Sequence, residues 1–182
     1  MKLYTKFGDK GKTSLIGKVT DKDDQRVAAY GEVDELNALI GAVIAFIRHE
    51  DIKEMLKPIQ KDLFIIGADL ANPQGEKSNR INPGRVTDFE IKIDEIWGSL
   101  PPLTNFVLPG GSKTASLLHF ARTVCRRAER SIVALGKKEK INPDIIIYIN
   151  RLSDLLFTLA RWANRKERVD EIIWKGKSRK IA

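Results

Sequence analysis

Three arginines, Arg122, Arg126 and Arg130, stand at four-residue spacing in the chain. On a helix this spacing places all three on one face. Like charges so arranged disfavour the helix by roughly 0.2–0.5 kcal/mol per pair, so folding alone does not require them. Because a guanidinium binds phosphate and carboxylate groups in a bidentate manner, we predict that this arginine ridge grips a polyanion.

A second candidate for anion binding lies in residues 5–14, which read TKFGDKGKTS. Glycines let the backbone approach a phosphate closely, and lysines and hydroxyls supply donors. The Walker spacing of glycines is absent, and by itself this segment is more typical of a basic surface loop. Combined with the arginine ridge, it predicts a clamp that holds a triphosphate from two sides.

Several other chemistries are disfavoured. The only histidines are His49 and His119, and neither follows a glutamate by three residues, so the Glu-x-x-His metal sites of helical bundles are not expected. A nucleophile elbow is missing, and His119 is more typical of a packing residue than of a general base. We therefore predict no protein metal site and no acid–base hydrolysis.

Two polar groups beside the predicted apolar seams each allow two interpretations. Asp34 lies on the first predicted helix and either pairs with an arginine or faces a ligand. Asn150 and Asp154 lie on the last predicted helix, where Asn150 either contacts a ribose or base edge or satisfies a neighbouring backbone group.

The composition indicates one soluble domain. The chain has 182 residues, 42% of them hydrophobic, which suffices for one core. A net charge of +8 favours a nucleotide, a nucleic acid or a membrane surface as partner, without choosing among them. Cys125 is the single cysteine, and signal or membrane-spanning runs are absent, so we expect a cytoplasmic protein.

Hydrophobic periodicity predicts an all-α five-helix bundle. Pro58 predicts either a start or a kink in the second helix, Thr87 an N-cap of the third, and Gly136 the end of the fourth. Asn142 and Pro143 predict the start of the fifth. Residues 1–24 are predicted to form an ordered loop or hairpin, and residues 168–182 a basic tail that is disordered or covers a pocket. A surface loop is predicted over 72–85 and an apolar connection, packed on the bundle, over 103–112. The predicted helices within 25–167 lie at about 25–48, 51–72, 87–100, 118–136 and 143–163.

Six motifs in fixed order resemble the PduO-type ATP:cob(I)alamin adenosyltransferases. The resemblance extends from about residue 3 to 167 and is specific as a combination, although each motif alone is not. The motifs are YTKFGDKG at 4–11, KDDQ at 22–25, GEVDELN at 31–37, FVLPGG at 106–111, RTVCRRAER at 122–130 and NRLSD at 150–154.

The resemblance implies ferritin-like up-down packing of the five helices and a trimer that binds ATP between neighbouring subunits. The family transfers the 5'-deoxyadenosyl group of ATP to reduced cobalamin and releases triphosphate. Expected ligands are therefore ATP, Mg²⁺ and cobalamin. Expected protein partners are a reductase or a cobalamin-dependent mutase, with neither nucleic acid nor membrane.

The resemblance also implies roles for individual residues. Asp34 would form a salt bridge with Arg126 across the subunit boundary, Arg130 would act on the triphosphate, and Phe106 would cover the lower corrin face and displace its axial base. Phe7 would touch ATP through its backbone alone. The residues implied at the phosphates are Thr5, Lys6, Phe7, Gly8, Thr13, Ser14 and Lys22, and those at the rest of the nucleotide are Arg126, Arg127, Glu129, Arg130 and Asn150.

Two alternatives remain at this point. A carrier of cobalamin or nucleotide without turnover would keep the same binding residues. A basic helical module for nucleic acid would use the arginine ridge and tail and bind in a strongly salt-dependent manner. Against the second alternative, the aromatic residues are few and lie mostly in apolar seams, and Glu129 interrupts the ridge.

Overall fold

The computed structural model describes residues 4–73 and 81–176. Within these ranges the chain forms five α-helices, so the predicted five-helix bundle is confirmed. Parts of the predicted loop at 72–85 and of the predicted tail lie outside the described residues. The helices are α1 (Gln25–Phe46), α2 (Glu50–Leu70), α3 (Gly84–Trp97), α4 (Lys113–Gly136) and α5 (Pro143–Lys166).

The core is built on α4 and α5, which pack on each other, while α1 packs on α4 and α2, and α3 packs on α5. Cys125 occupies the α4–α5 seam and is fully buried, as predicted for a small core residue. Its thiol donates to the carbonyl oxygen of Ile149 at 3.3 Å. Burial raises the pKa of this thiol, so Cys125 stays protonated and unreactive at neutral pH.

The C-terminus of α4 and the N-terminus of α5 follow the sequence prediction. Helix α4 ends at Gly136, and the Asn142 side chain accepts from the backbone N–H of Asp144 at 3.1 Å with Pro143 in the first turn. In the described residues no helix has the length and apolar character needed to cross a membrane.

Helix α2 begins at Glu50, close to the predicted residue 51, and the acidic side chains of its first turn favour a helix N-terminus there. Pro58 lies inside the helix, so the alternative of a start at Pro58 is wrong. The start of α3 also corrects the sequence prediction. Thr87 does not cap α3, which already begins at Gly84. The Asn82 side chain accepts from Gly84 N–H at 2.9 Å, and Arg85 pairs with the buried Asp62 on α2, which anchors this earlier turn.

The N-terminal segment is a 3₁₀ turn, Phe7–Lys10, followed by a hairpin of β1 (Lys12–Leu15) and β2 (Lys18–Asp21). Of the two predicted alternatives, loop or hairpin, the structure has the hairpin. The strands are antiparallel, with Thr13 opposite Thr20. Ile16 N–H donates to the Ala71 carbonyl at 3.1 Å, so the hairpin is attached to the end of α2.

Candidate functional site

The arginine ridge lies along α4 between two cavities. Arg122 and Arg126 line one of them, and Arg126 and Arg130 line the other. Arg126 and Arg130 are exposed, whereas Arg122 is half-buried. Arg130 Nη1 donates to the Arg126 carbonyl oxygen at 2.9 Å, which holds its guanidinium along the helix. Arg126 therefore connects the two cavities.

The first cavity, the cationic cleft, has a volume of about 660 Å³. Four cationic side chains face a single carboxylate, that of Glu129, so the cleft favours an anion. Glu129 Oε1 accepts from Asn150 Nδ2 at 2.9 Å, so α4 and α5 bring these two predicted nucleotide residues together. The lining residues are Gln25, Arg126, Glu129, Arg130, Val133, Ala134, Lys137 and Lys138.

The second cavity, the aromatic cavity, has a volume of about 640 Å³ and lies between α3, α4, α5 and the α3–α4 connection. Phe106 on that connection leaves 61% of its surface exposed, a large amount for a phenylalanine. The apolar walls suit a broad, flat organic ligand. The lining residues are Trp97, Pro102, Leu103, Asn105, Phe106, Val107, Pro109, His119, Arg122, Arg126, Ser153, Asp154 and Phe157.

His119 and Arg122 are two of the polar residues in the wall of the aromatic cavity. Burial and the neighbouring Arg122 charge lower the pKa of His119 to about 4, so the imidazole is neutral at pH 7. The guanidinium carbon of Arg122 lies 5.8 Å from the centre of the Phe157 ring, a cation–π distance. Burial and Arg126 lower the pKa of Arg122. His119 is 3% exposed and its ring centre lies 5.8 Å from that of Phe157, which fits the predicted packing role.

The N-terminal segment brings several predicted phosphate ligands together. A Cβ atom at Gly8 would lie 2.9 Å from Lys22 Nζ, so glycine leaves space for this ammonium group beside the backbone. Lys22 N–H also donates to the Gly11 carbonyl at 2.8 Å. Thr5 Oγ1 accepts from Phe7 N–H at 3.3 Å. Lys6, Phe7 and Ser14 are exposed, and Thr13 is half-buried.

Within the described residues of one chain, this segment and the arginine ridge do not line a common cavity. In the part of the chain that the structure describes, none of the N-terminal candidates lines either cavity, and neither does Asp34, which is exposed on α1. The Arg127 guanidinium donates to Glu32 at 3.2 Å and also to Glu35, both on α1. Its predicted contact with a nucleotide would require these pairs to open.

The sequence prediction missed Arg161 and the pairing of the tail. Arg161 is 2% exposed, and residues 172–174 pair with the connection that carries Phe106. The described part of the tail therefore packs on the connection, and none of its residues is among those that line the aromatic cavity. A signal existed for Arg161, a charged residue between the apolar Ala160 and Trp162 near the end of the α5 seam. For the tail no periodic pattern was available.

Known proteins resemble this chain over nearly its whole length. A corrinoid adenosyltransferase of Bacillus subtilis (strain 168) is 47% identical over 176 residues, which cover 94% of this chain and 91% of that protein. The Homo sapiens corrinoid adenosyltransferase MMAB is 41% identical over 182 residues, which cover 95% of this chain and 73% of that protein.

Solved structures show the same fold. A variant of the PduO-type ATP:corrinoid adenosyltransferase from Lactobacillus reuteri, complexed with cobalamin and ATP, has a TM-score of 0.93 and 44% identity, covering 96% of this chain and 100% of that one. A second variant in the same complex has a TM-score of 0.95 and 43% identity and covers 100% of both chains. Since the sequence profile of cobalamin adenosyltransferases matches residues 3–163, the chain belongs to the cobalamin adenosyltransferase family.

Proposed function

We propose that this enzyme transfers the 5'-deoxyadenosyl group of ATP to the cobalt of reduced cobalamin and releases triphosphate. The observation that carries the proposal is that Arg126 lines both cavities. A polyanion in the cationic cleft and a flat apolar ligand in the aromatic cavity would therefore meet at one side chain. That arrangement suits a reaction between a nucleotide and a corrin.

The nucleophile in this reaction is the Co(I) centre of the substrate. It attacks C5' of ATP, the cobalt–carbon bond forms, and the C5'–O bond breaks with its electron pair passing to the triphosphate oxygen. The protein therefore needs no serine, cysteine or general base, in keeping with the packing role of His119 and the protonated Cys125. Its task is to position the reactants and to stabilise the charge that develops on the triphosphate.

Arg130 and Arg126 are assigned to that charge. Both are exposed guanidinium groups in a cleft where cations predominate. The paired side chains of Glu129 and Asn150 are placed to bind the rest of the nucleotide. Arg127 is a nucleotide ligand in this proposal only if it leaves Glu32 and Glu35, which a variant can decide.

The active enzyme is proposed to be a homotrimer with sites between subunits. Two points support this arrangement, namely the family resemblance and the fact that none of the predicted phosphate ligands lines the cationic cleft of its own chain in the described residues. A neighbouring subunit would supply the phosphate ligands of residues 5–22, and its Asp34 would pair with Arg126. The single-domain organisation, with phosphate binding in 1–24 and the bundle in 25–167, is part of the same proposal.

Phe106 is assigned to the lower face of the corrin. An exposed ring that projects into an apolar cavity can exclude water and displace the axial base. Without an axial ligand Co(II) is more readily reduced to Co(I), so Phe106 would act before the transfer step. A reductase is then the expected electron donor, and a cobalamin-dependent mutase a candidate recipient of the product.

Mg²⁺ is proposed to reach the site on the triphosphate. Residues 4–73 and 81–176 contain no group of three or more His, Cys, Asp or Glu that could hold a metal ion. The donor set therefore does not fit a protein cage for Mg²⁺, which commonly binds nucleotides through phosphate oxygens and water. A cytoplasmic location, where ATP and Mg²⁺ are abundant, is the accompanying proposal.

The decisive experiment is an anaerobic assay with ATP, Mg²⁺ and chemically reduced cobalamin. The expected result is the light-sensitive spectrum of adenosylcobalamin together with release of triphosphate. Binding of both ligands without product would identify a carrier instead. Strongly salt-dependent binding of RNA or DNA without product would identify a nucleic-acid-binding module.

A further inference from the structure

The backbone of the Phe106 connection is held by a short segment of the tail, residues 171–174, which we call the strap. Val107 and Ile173 form an antiparallel bridge. Trp174 N–H donates to the Phe106 carbonyl oxygen at 2.8 Å, and Leu108 N–H donates to the Ile172 carbonyl oxygen at 2.8 Å. The two hydrogen bonds flank the bridge, so the main chain on both sides of Val107 is fixed.

The strap is itself anchored by an ion pair between Glu171 and the buried Arg161. Arg161 Nε donates to the two carboxylate oxygens of Glu171 at 2.9 and 3.2 Å, and Nη2 donates to Oε2 at 3.0 Å. Nη2 also donates to the Pro101 carbonyl oxygen at 2.9 Å. The guanidinium carbon lies 4.7 Å from the centre of the Trp97 ring, which lines the aromatic cavity. One side chain of α5 therefore joins the strap to the start of the connection.

The other end of the connection is held by Asn164, one turn further along α5. Its Nδ2 donates to the Gly110 carbonyl at 3.0 Å, and its Oδ1 accepts from Ser112 N–H at 2.8 Å. Gly111 lies between them at φ 107°, and a Cβ there would be 2.2 Å from Asn164 Oδ1. With both ends of the connection tied to α5, the strap holds its middle, where Phe106 lies.

We propose that Glu171 is a positioning residue for the reaction, acting through the strap to hold Phe106 against the lower face of cobalamin. The inference rests on the proposed function. A ring that must displace a cobalt ligand works best when it is already held in place, because ordering a free loop costs conformational entropy at that moment. Glu171 is not among the residues that line the two cavities, and its effect passes through the main-chain hydrogen bonds of the strap.

Two matched pairs of variants separate the strap from its side chains. Trp174→Pro removes the indole and the N–H that donates to Phe106, whereas Trp174→Ala removes the indole alone. Glu171→Gln removes the charge that anchors Arg161, whereas Asp170→Asn removes an exposed charge one residue away. Trp174 is half-exposed in the tail, so its variants leave the bundle folded even if loss of the Glu171 charge destabilises the chain.

The first measurement is hydrogen–deuterium exchange of the Leu108 amide in the ligand-free protein. We expect exchange to accelerate about tenfold in Trp174→Pro and in Glu171→Gln, because the bridge opens more often. Trp174→Ala and Asp170→Asn should resemble the wild type. This readout needs neither ATP nor cobalamin.

The second measurement is the electron paramagnetic resonance spectrum of cob(II)alamin bound with ATP, in which loss of the axial nitrogen removes its hyperfine splitting. The fraction of bound cob(II)alamin that is four-coordinate should be several-fold lower in Trp174→Pro than in Trp174→Ala. It should likewise be several-fold lower in Glu171→Gln than in Asp170→Asn. The KM for ATP should not change in any of the four. Turnover from pre-reduced cobalamin should differ little within each pair.

Equal spectra within both pairs would overturn the proposal, and so would unchanged Leu108 exchange in Trp174→Pro. Failure of the proposed function has a different signature, since the wild type would then form no adenosylcobalamin from pre-reduced substrate. A loss confined to Glu171→Gln, accompanied by a lower melting temperature and with the Trp174 pair alike, would assign Glu171 a structural role only.

Discussion

The cationic cleft and the aromatic cavity share Arg126 but are assembled in different ways. The walls of the cleft come from successive turns of α4 and the two lysines that follow it, with Gln25 at the start of α1. The walls of the cavity come from three helices and the connection that carries Phe106. The spacing of residues along one helix is therefore enough to form an anion-binding surface, whereas an apolar site for a large ligand needs contacts between distant parts of the chain.

The two regions also differ in the hydration of their ionisable groups. Arg126 and Arg130 in the cleft are exposed, so their charges are stabilised by water until an anion arrives. In the cavity wall, His119 and Arg122 are desolvated, and burial lowers the pKa of both. Variants in the cleft should therefore change catalysis, and variants in the buried wall should change stability as well.

Arg130→Ala should have the largest effect. Loss of a preorganised donor to developing charge typically costs about 2.7–4 kcal/mol, or roughly 10²- to 10³-fold in kcat. Because Arg130 is exposed, the free energy of unfolding should change by less than about 0.5 kcal/mol. Steady-state kinetics with pre-reduced cobalamin and thermal unfolding of the same sample check both statements. Arg130→Lys, which keeps the charge without the fork, should be intermediate, and a parallel loss of stability would contradict the assignment.

His119 should make the stability of the wild type sensitive to pH. The folded pKa of about 4 lies below the ordinary 6.5, so the unfolded chain takes up the proton first as the pH falls. The contribution of the neutral, buried imidazole to the free energy of unfolding is present above pH 6.5 and is lost on acidification toward pH 4. Between pH 7 and pH 5 the wild type should lose about 2 kcal/mol more unfolding free energy than His119→Leu.

Urea unfolding of both proteins at the two pH values measures this difference. Arg130→Ala serves as the matched cleft variant, and it should show the same pH dependence as the wild type. If the wild type and His119→Leu lose the same free energy of unfolding between these pH values, the prediction is wrong. The imidazole would then accept a proton in the folded state as readily as in the unfolded chain.

Phe106→Ala should separate two steps of the reaction. We expect turnover that starts from Co(II) to fall roughly tenfold more, about 1.4 kcal/mol, than turnover that starts from pre-reduced Co(I). The reason is that the ring acts on the axial ligand before the transfer. Parallel assays with a reductant-coupled system and with pre-reduced cobalamin measure the ratio. Comparable losses in both assays would remove Phe106 from the reduction step.

Arg127→Ala should have the smallest effect. Its partners Glu32 and Glu35 lie on α1, and half-exposed pairs of this kind contribute about 0.2–1 kcal/mol. Chemical unfolding should therefore detect a small loss of stability. A rise in the KM for ATP would instead support the nucleotide contact implied by the family resemblance and would extend the cationic cleft around α4.

Sequence patterns predicted the helices well where local signals agreed. The apolar seams of α4 and α5, the Asn142–Pro143 start and the core position of Cys125 were all confirmed. The start of α3 was not, because the capping pattern at Thr87 competes with a pair between Arg85 and Asp62 that joins residues far apart in the chain. Such a pair leaves no periodic signal.

By itself the sequence determined the five-helix architecture and the arginine ridge, since both follow from spacing along single elements. It also carried the motifs that identify the family. Only the tertiary structure decided that Arg126 lies between two cavities, that His119 is desolvated, and that the strap pairs with the Phe106 connection. The physical reason is that burial depends on packing between elements, and a bridge is made by main-chain groups that nearly every residue carries.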